Sequence, residues 1–70
     1  MEKIYIKDDH IKLGQALKLS GAVGSGVEAK IVIQEGLVTV NKEKCLQRGK
    51  KLFEGDIISY KGTDHIITGI

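Results

Sequence analysis

Lys42, Lys44, Arg48, Lys50 and Lys51 stand within ten residues of one another, opposed only by Glu43, a local charge of +4. The whole chain sums to only +2, and residues 1–35 balance five lysines against five acids, so the positive charge is concentrated rather than spread. Basic side chains at this density raise the local potential and attract phosphate-bearing partners. Other chemistries find little support. Acid–base or nucleophilic catalysis needs partnered groups within hydrogen-bond reach, but His10 and His65 have no evident partner and Asp56 and Asp64 fall in turns. His10, His65 and Cys45 lack the spacing of a metal-ligand set. The glycine run GAVGSG (21–26) follows no strand and departs from G-x-G-x-x-G, which argues against a dinucleotide. No catalytic residue, metal, cofactor or small-molecule substrate is expected.

Seventy residues accommodate one domain, taken as residues 1–70. With 41% hydrophobic and 29% charged residues, the composition is that of a folded globular chain rather than a disordered tail. The single cysteine, Cys45, excludes an internal disulfide and points to a reducing, cytoplasmic setting; next to Leu46, it is expected to pack rather than react. No segment reads as a signal peptide or bilayer span, and no basic amphipathic helix suits a membrane surface. A monomer is expected.

The elements that must position the basic run follow from periodicity. KIYIK (3–7) alternates as an edge strand. Asp8 and Asp9 offer N-cap oxygens to a first helix over residues 11–20, with Leu13, Ala16 and Leu17 on its apolar stripe and Lys12 and Lys18 flanking it. Ser25 and Glu28 form an S-x-x-E capping box for a second helix, whose Ala29, Val32 and Ile33 face inward and whose Lys30 and Gln34, four apart, share the outer face. Gly36 ends it. The period then changes to two: LVTV (37–40), a link from Asn41 to a strand at 44–46, turns at 53–56 and 61–64, and strands at IISYK and HIITGI. The fold class is α+β, two short helices packed against a small antiparallel sheet of four to five strands.

Three stretches in this order, IKLGQALKLSG (11–21), SGVEAKIVIQEGLVTVN (25–41) and RGKKLFEGDII (48–58), resemble the S-four RNA-binding domain, also called the αL motif. The match covers residues 11–60, and the chain looks like the short stand-alone bacterial members in which the domain is the whole protein. The same domain occurs in pseudouridine synthases and tyrosyl-tRNA synthetases, where catalysis resides in separate domains. Three positions depart from the pattern. Lys42 stands where many relatives place glycine after Asn41, and lysine tolerates positive φ poorly, so a wider loop is expected there. Gly26 replaces an arginine found in larger enzymes, which leaves backbone N–H groups as the donors. Gly14 replaces an acidic residue.

The resemblance implies binding of structured RNA, ribosomal RNA foremost, across the helices and the adjoining strand loop, in ribosome assembly or quality control. It carries over Lys12, Ser25, Gly26, Lys30 and Asn41 as contacts, with Gln34 beside Lys30 on the same helix face. Ser25 and Gly26 sit where a helix N-terminus offers N–H groups to a phosphate, although Ser25 and Glu28 have a sufficient structural reading as the cap. Composition adds Lys42, Arg48, Lys50 and Lys51; a solvated loop is the ordinary reading of such a run, and its place beside the family's RNA face favours the functional one. Tyr5, Phe53 and Tyr60 lie in strand-like runs, so no stacking platform is expected and recognition by shape and backbone is favoured. The alternative is a protein-interaction adapter that presents the same basic face to an acidic partner.

Overall fold

The computed structural model describes residues 1–69. Strand β1 (Glu2–Ile6) buries Ile4 and Ile6 and turns Tyr5 outward, as a period of two requires. A two-residue strand, β2 (Ile11–Lys12), leads into helix α1 (Leu13–Leu19), and α2 (Gly26–Gln34) follows across the glycine-rich link. Strands β3 (Val38–Val40), β4 (Glu43–Lys44), β5 (Lys51–Leu52), β6 (Ile57–Tyr60) and β7 (Thr63–Gly69) complete the described chain. Of the expected last strand, Ile70 lies outside the described residues.

Five strands form one sheet in the order β1-β7-β6-β3-β4, while β2 and β5 pair separately as a short ribbon. Both helices cover one face of the sheet. Leu13, Ala16 and Leu17 of α1 and Ala29, Val32 and Ile33 of α2 join Ile4, Ile6, Val38, Val40, Ile58, Tyr60 and Ile67 in a single core. Truncating a fully buried leucine such as Leu17 costs about 2–5 kcal/mol, a large share of the stability of so small a domain. The partly buried Cys45 packs against this core.

The expected all-antiparallel sheet needs one correction. β1 and β7 run parallel, with Lys3 opposite Ile66 and Ile4 opposite Ile67. Parallel neighbours require a long connection, and here everything from residue 7 to residue 62 supplies it.

The first helix also begins later than Asp8 and Asp9 suggested. Ile11 and Lys12 stay extended because they pair with Leu52 and Lys51, and Lys12 is the N-cap residue with φ −79° and ψ 148°. The first helical N–H groups are satisfied from elsewhere: Leu13 donates to the Lys50 carbonyl at 2.8 Å and Gly14 to the Arg48 carbonyl at 3.0 Å.

Asn41 and Lys42 form a tight two-residue turn, φ 50° and 73°, between the paired Val40 and Glu43, and not the wider loop expected. The neighbouring Asn41 explains how lysine is held there. Its Nδ2 donates to Asp56 Oδ1 at 3.1 Å, its Oδ1 accepts from the Ile57 N–H at 2.9 Å, and its own N–H donates to the Ile57 carbonyl at 2.7 Å. Those bonds fix the backbone that enters Lys42. The following strand is Glu43–Lys44, one residue ahead of the expected position.

Candidate nucleic-acid interface

The run that includes Arg48, Gly49 and Lys50 lies against the start of α1, held there by backbone bonds and by the pairing of β5 with β2. Gly14 permits the close approach. A Cβ on Gly14 would stand 2.6 Å from Arg48 Cγ and 3.2 Å from Cδ, so the arginine stem crosses the helix where a side chain is missing. The result is a groove lined by Lys12, Gln15, Lys18 and Arg48 with Gly14, Gly26 and Gly49. It holds three cations and no acid. Among the described residues the one ion-pair geometry joins Asp9 and His10, so none of the three groove cations is neutralised by a carboxylate.

Gly26, the first residue of α2, lines this groove. Ser25 caps the helix: its Oγ accepts from the Glu28 N–H at 3.1 Å, while the Glu28 carboxylate accepts from the Gly24 N–H at 2.7 Å, one residue earlier than a capping box prescribes. The N–H groups of Gly26 and Val27 have no partner among the described residues. They are oriented donors beside three cations, the combination that suits a phosphate oxygen.

A second hollow gathers Lys44, Lys50 and Lys51 with Asn41, Phe53 and Asp56. The ten residues named from the sequence therefore divide. Lys12, Gly26 and Arg48 meet in the first groove; Asn41, Lys50 and Lys51 line the second hollow. Lys30 and Gln34 are exposed on the outer side of α2 and line neither, and Lys42 sits on its turn beyond both. Ser25 and Asn41 spend their side-chain oxygens on the fold. Gln15 and Lys18 were missed, although their signal was present: Lys12, Gln15 and Lys18 recur every third residue, a helical face.

The aromatic residues differ from expectation. Tyr60 is buried in β6, but Phe53 leaves β5 and is 48% exposed, and Tyr5 projects from the outer side of β1. The Phe53 ring lies 6.0 Å from that of His10, centroid to centroid, tilted by 49°. His10 Nδ1 donates to Asp9 Oδ1 at 2.8 Å, and this hydrogen bond, with the imidazole close by, holds the Asp9 carboxyl below its ordinary range. Among the described residues no group of three His, Cys, Asp or Glu side chains is placed to hold a metal, and no helix is long and apolar enough to cross a membrane.

A helix pair on a five-stranded sheet, carrying an acid-free cationic groove where a loop meets the first helix, defines a small α+β domain built to present positive charge. Residues 4–68 match the family model of the S4 domain, and the chain belongs to that family. It is 42% identical over 59 residues to the probable ribosome maturation protein RlbA of Bacillus subtilis, covering 84% of this chain and 83% of the relative. It is 38% identical over 56 residues to the putative RNA-binding protein YbcJ of Escherichia coli, covering 80% of each. The solution structure of YbcJ, described as revealing an αL motif involved in RNA-binding, superposes with a TM-score of 0.74 at 32% identity, over 97% of this chain and 87% of that one. The family and the α+β class expected from the residues are those found.

Proposed function

We propose that this chain is a non-catalytic, cytoplasmic module that binds folded RNA by its phosphate backbone as a monomer. Ribosomal RNA or a ribosomal particle is its target, and ribosome maturation its setting. The observation that carries this reading is the groove of Lys12, Lys18 and Arg48, which contains no acid and is also lined by Gly26, the first residue of α2. Lys30 and Gln34 extend the contact along α2, and Lys42, Lys50 and Lys51 extend it along the loop. The names borne by RlbA and YbcJ support the same direction.

Four to five phosphate contacts give a log–log salt slope of about −3 to −4. The test is binding to a structured ribosomal-RNA fragment and to a length-matched DNA duplex, each across a salt series. A clear RNA preference with that slope is expected, and Lys30→Glu combined with Lys50→Glu weakens it while the circular dichroism melt stays unchanged. Equal, weak binding to both nucleic acids, or full affinity in the double variant, would refute the assignment. A second reading, a protein adapter, draws on Val27 and Ile31, exposed at 70% and 50% four residues apart on α2 beside Lys30. An acidic protein that RNA fails to displace from Lys30 and Lys50 would favour it.

A further inference from the structure

The pairing of β2 with β5 sets Lys12 opposite Lys51. Directly opposite residues of an antiparallel pair project from the same face, and side chains two apart share that face. His10 is two residues before Lys12 and Phe53 two after Lys51, so the outer face of the ribbon presents two lysines followed by two rings. The observed ring separation of 6.0 Å agrees with that placement. Lys12 and Lys51 are exposed, and Leu52, the intervening residue, is fully buried.

Phe53 has no evident structural reason to be there. It belongs to no strand, lies outside the buried core, and leaves half its surface in water. Its backbone is nevertheless fixed, because its N–H donates to Asp56 Oδ2 at 2.8 Å and the Asp56 N–H donates back to its carbonyl at 2.9 Å. Asp56 is itself held by Asn41. A half-exposed ring on a fixed backbone, in one hollow with Lys44, Lys50 and Lys51 as well as Glu43 and Asp56, offers apolar surface for stacking a nucleobase and cations within reach of the flanking phosphates.

We propose that Phe53, backed by His10, is a stacking platform for an unpaired base of the bound RNA, with Lys12, Lys50 and Lys51 on the phosphates of the same strand. This rests on the RNA-binding reading above and adds to it. The groove at Gly26 and Arg48 takes paired backbone, and the ribbon takes a nucleotide that has left the stack at a loop or bulge. The domain thereby reads the junction between helical and single-stranded RNA.

The chain contains no tryptophan, so Phe53→Trp introduces a single reporter whose emission a stacked base quenches. The experiment titrates wild type, Phe53→Leu and Phe53→Trp with an RNA hairpin bearing an unpaired loop, and with a fully paired RNA of equal length. Phe53→Leu is expected to lose about 5- to 150-fold in affinity for the looped RNA, with its affinity for the paired RNA, salt slope and thermal melt unchanged. Phe53→Trp is expected to keep its affinity and to be quenched by the looped RNA alone. Wild-type affinity in Phe53→Leu, or an equal loss for both RNAs, overturns the platform. If the platform fails while Lys30→Glu with Lys50→Glu still weakens binding, the RNA assignment survives. If wild type binds neither RNA, both fall together.

Discussion

Replacing Gly14 by alanine places a methyl carbon 2.6 Å from Arg48 Cγ, too close for any real contact, and 3.2 Å from Cδ. The arginine backbone cannot back away freely, because its carbonyl accepts the Gly14 N–H at 3.0 Å and that bond satisfies the start of α1. The stem must therefore swing out of the groove. Overpacking of this kind costs about 1–3 kcal/mol, and alanine returns at most about 1 kcal/mol through its helix preference over glycine. Gly14→Ala is thus expected to be neutral or to destabilise by up to about 3 kcal/mol. In an Arg48→Ala background Cγ is gone, and the same substitution should stabilise by up to about 1 kcal/mol. The coupling between the two positions is then about 1–3 kcal/mol, the range of residues in direct contact. Urea denaturation of the four proteins measures it, and in a domain this size about 1 kcal/mol moves Tm by roughly 4–8 °C. If Gly14→Ala shifts stability equally in both backgrounds, Arg48 does not lie on α1, and the groove is not a defined feature of the surface.

Two further substitutions test features that the fold tolerates at a cost. Lys42 holds φ at 73°, a conformation that costs a non-glycine residue about 1–2 kcal/mol, part of which glycine forfeits through its freer unfolded chain. Lys42→Gly should raise stability by about 0.5–1 kcal/mol in a thermal melt, and a lower Tm would show that the lysine side chain has a stabilising contact. His65 is 5% exposed on β7 with neither ring nitrogen bonded to a partner among the described residues. An unsatisfied buried polar group costs about 1–3 kcal/mol, so His65→Phe, which keeps a planar ring, should be neutral or stabilising by calorimetry. A loss beyond about 1 kcal/mol would mean that the ring polarity is used.

The helices were legible because their signals are local. Leu13, Ala16 and Leu17 on α1 and Ala29, Val32 and Ile33 on α2 fall inward as their spacing demands, Ser25 caps, and Gly36 stops α2 at φ 76°. What was missed depended on distant partners. Ile11 reads as the first residue of a helix until Leu52 claims it as a strand, and β1 reads as one more antiparallel strand until β7 returns beside it. The wider loop assigned to Lys42 followed from its own φ preference, which the hydrogen bonds of Asn41 to Asp56 and Ile57, 15 and 16 residues away, override. The turn expected at 53–56 is present, closed by the bonds between Phe53 and Asp56, whereas the short strand at Lys51–Leu52 before it was not expected, because its partner is the distant Ile11–Lys12 pair. Of the candidate surface, charge and residue type were visible, whereas the groove that unites Lys12, Lys18 and Arg48 needed the three-dimensional approach at Gly14.

How the basic run is held bears on what it is free to do. Arg48 and Lys50 are tied to α1 through their carbonyls, and Lys51 is tied to Lys12 through strand pairing, so none of the three commits its charged group to the fold. Ser25 and Asn41 do the opposite: their side chains make the caps and bridges, and removing either perturbs the scaffold before it perturbs any partner. Loss of RNA affinity on changing Asn41 would therefore be ambiguous. Loss on changing Arg48, Lys50 or Lys51 to a neutral residue of similar length would not, because the backbone bonds that place them remain. A surface positioned by main chain and armed by uncommitted side chains can change its partner preference, charge by charge, without refolding. Among the described residues the 48–51 segment meets that condition, its backbone held by α1 and β2 and its charged groups unpaired.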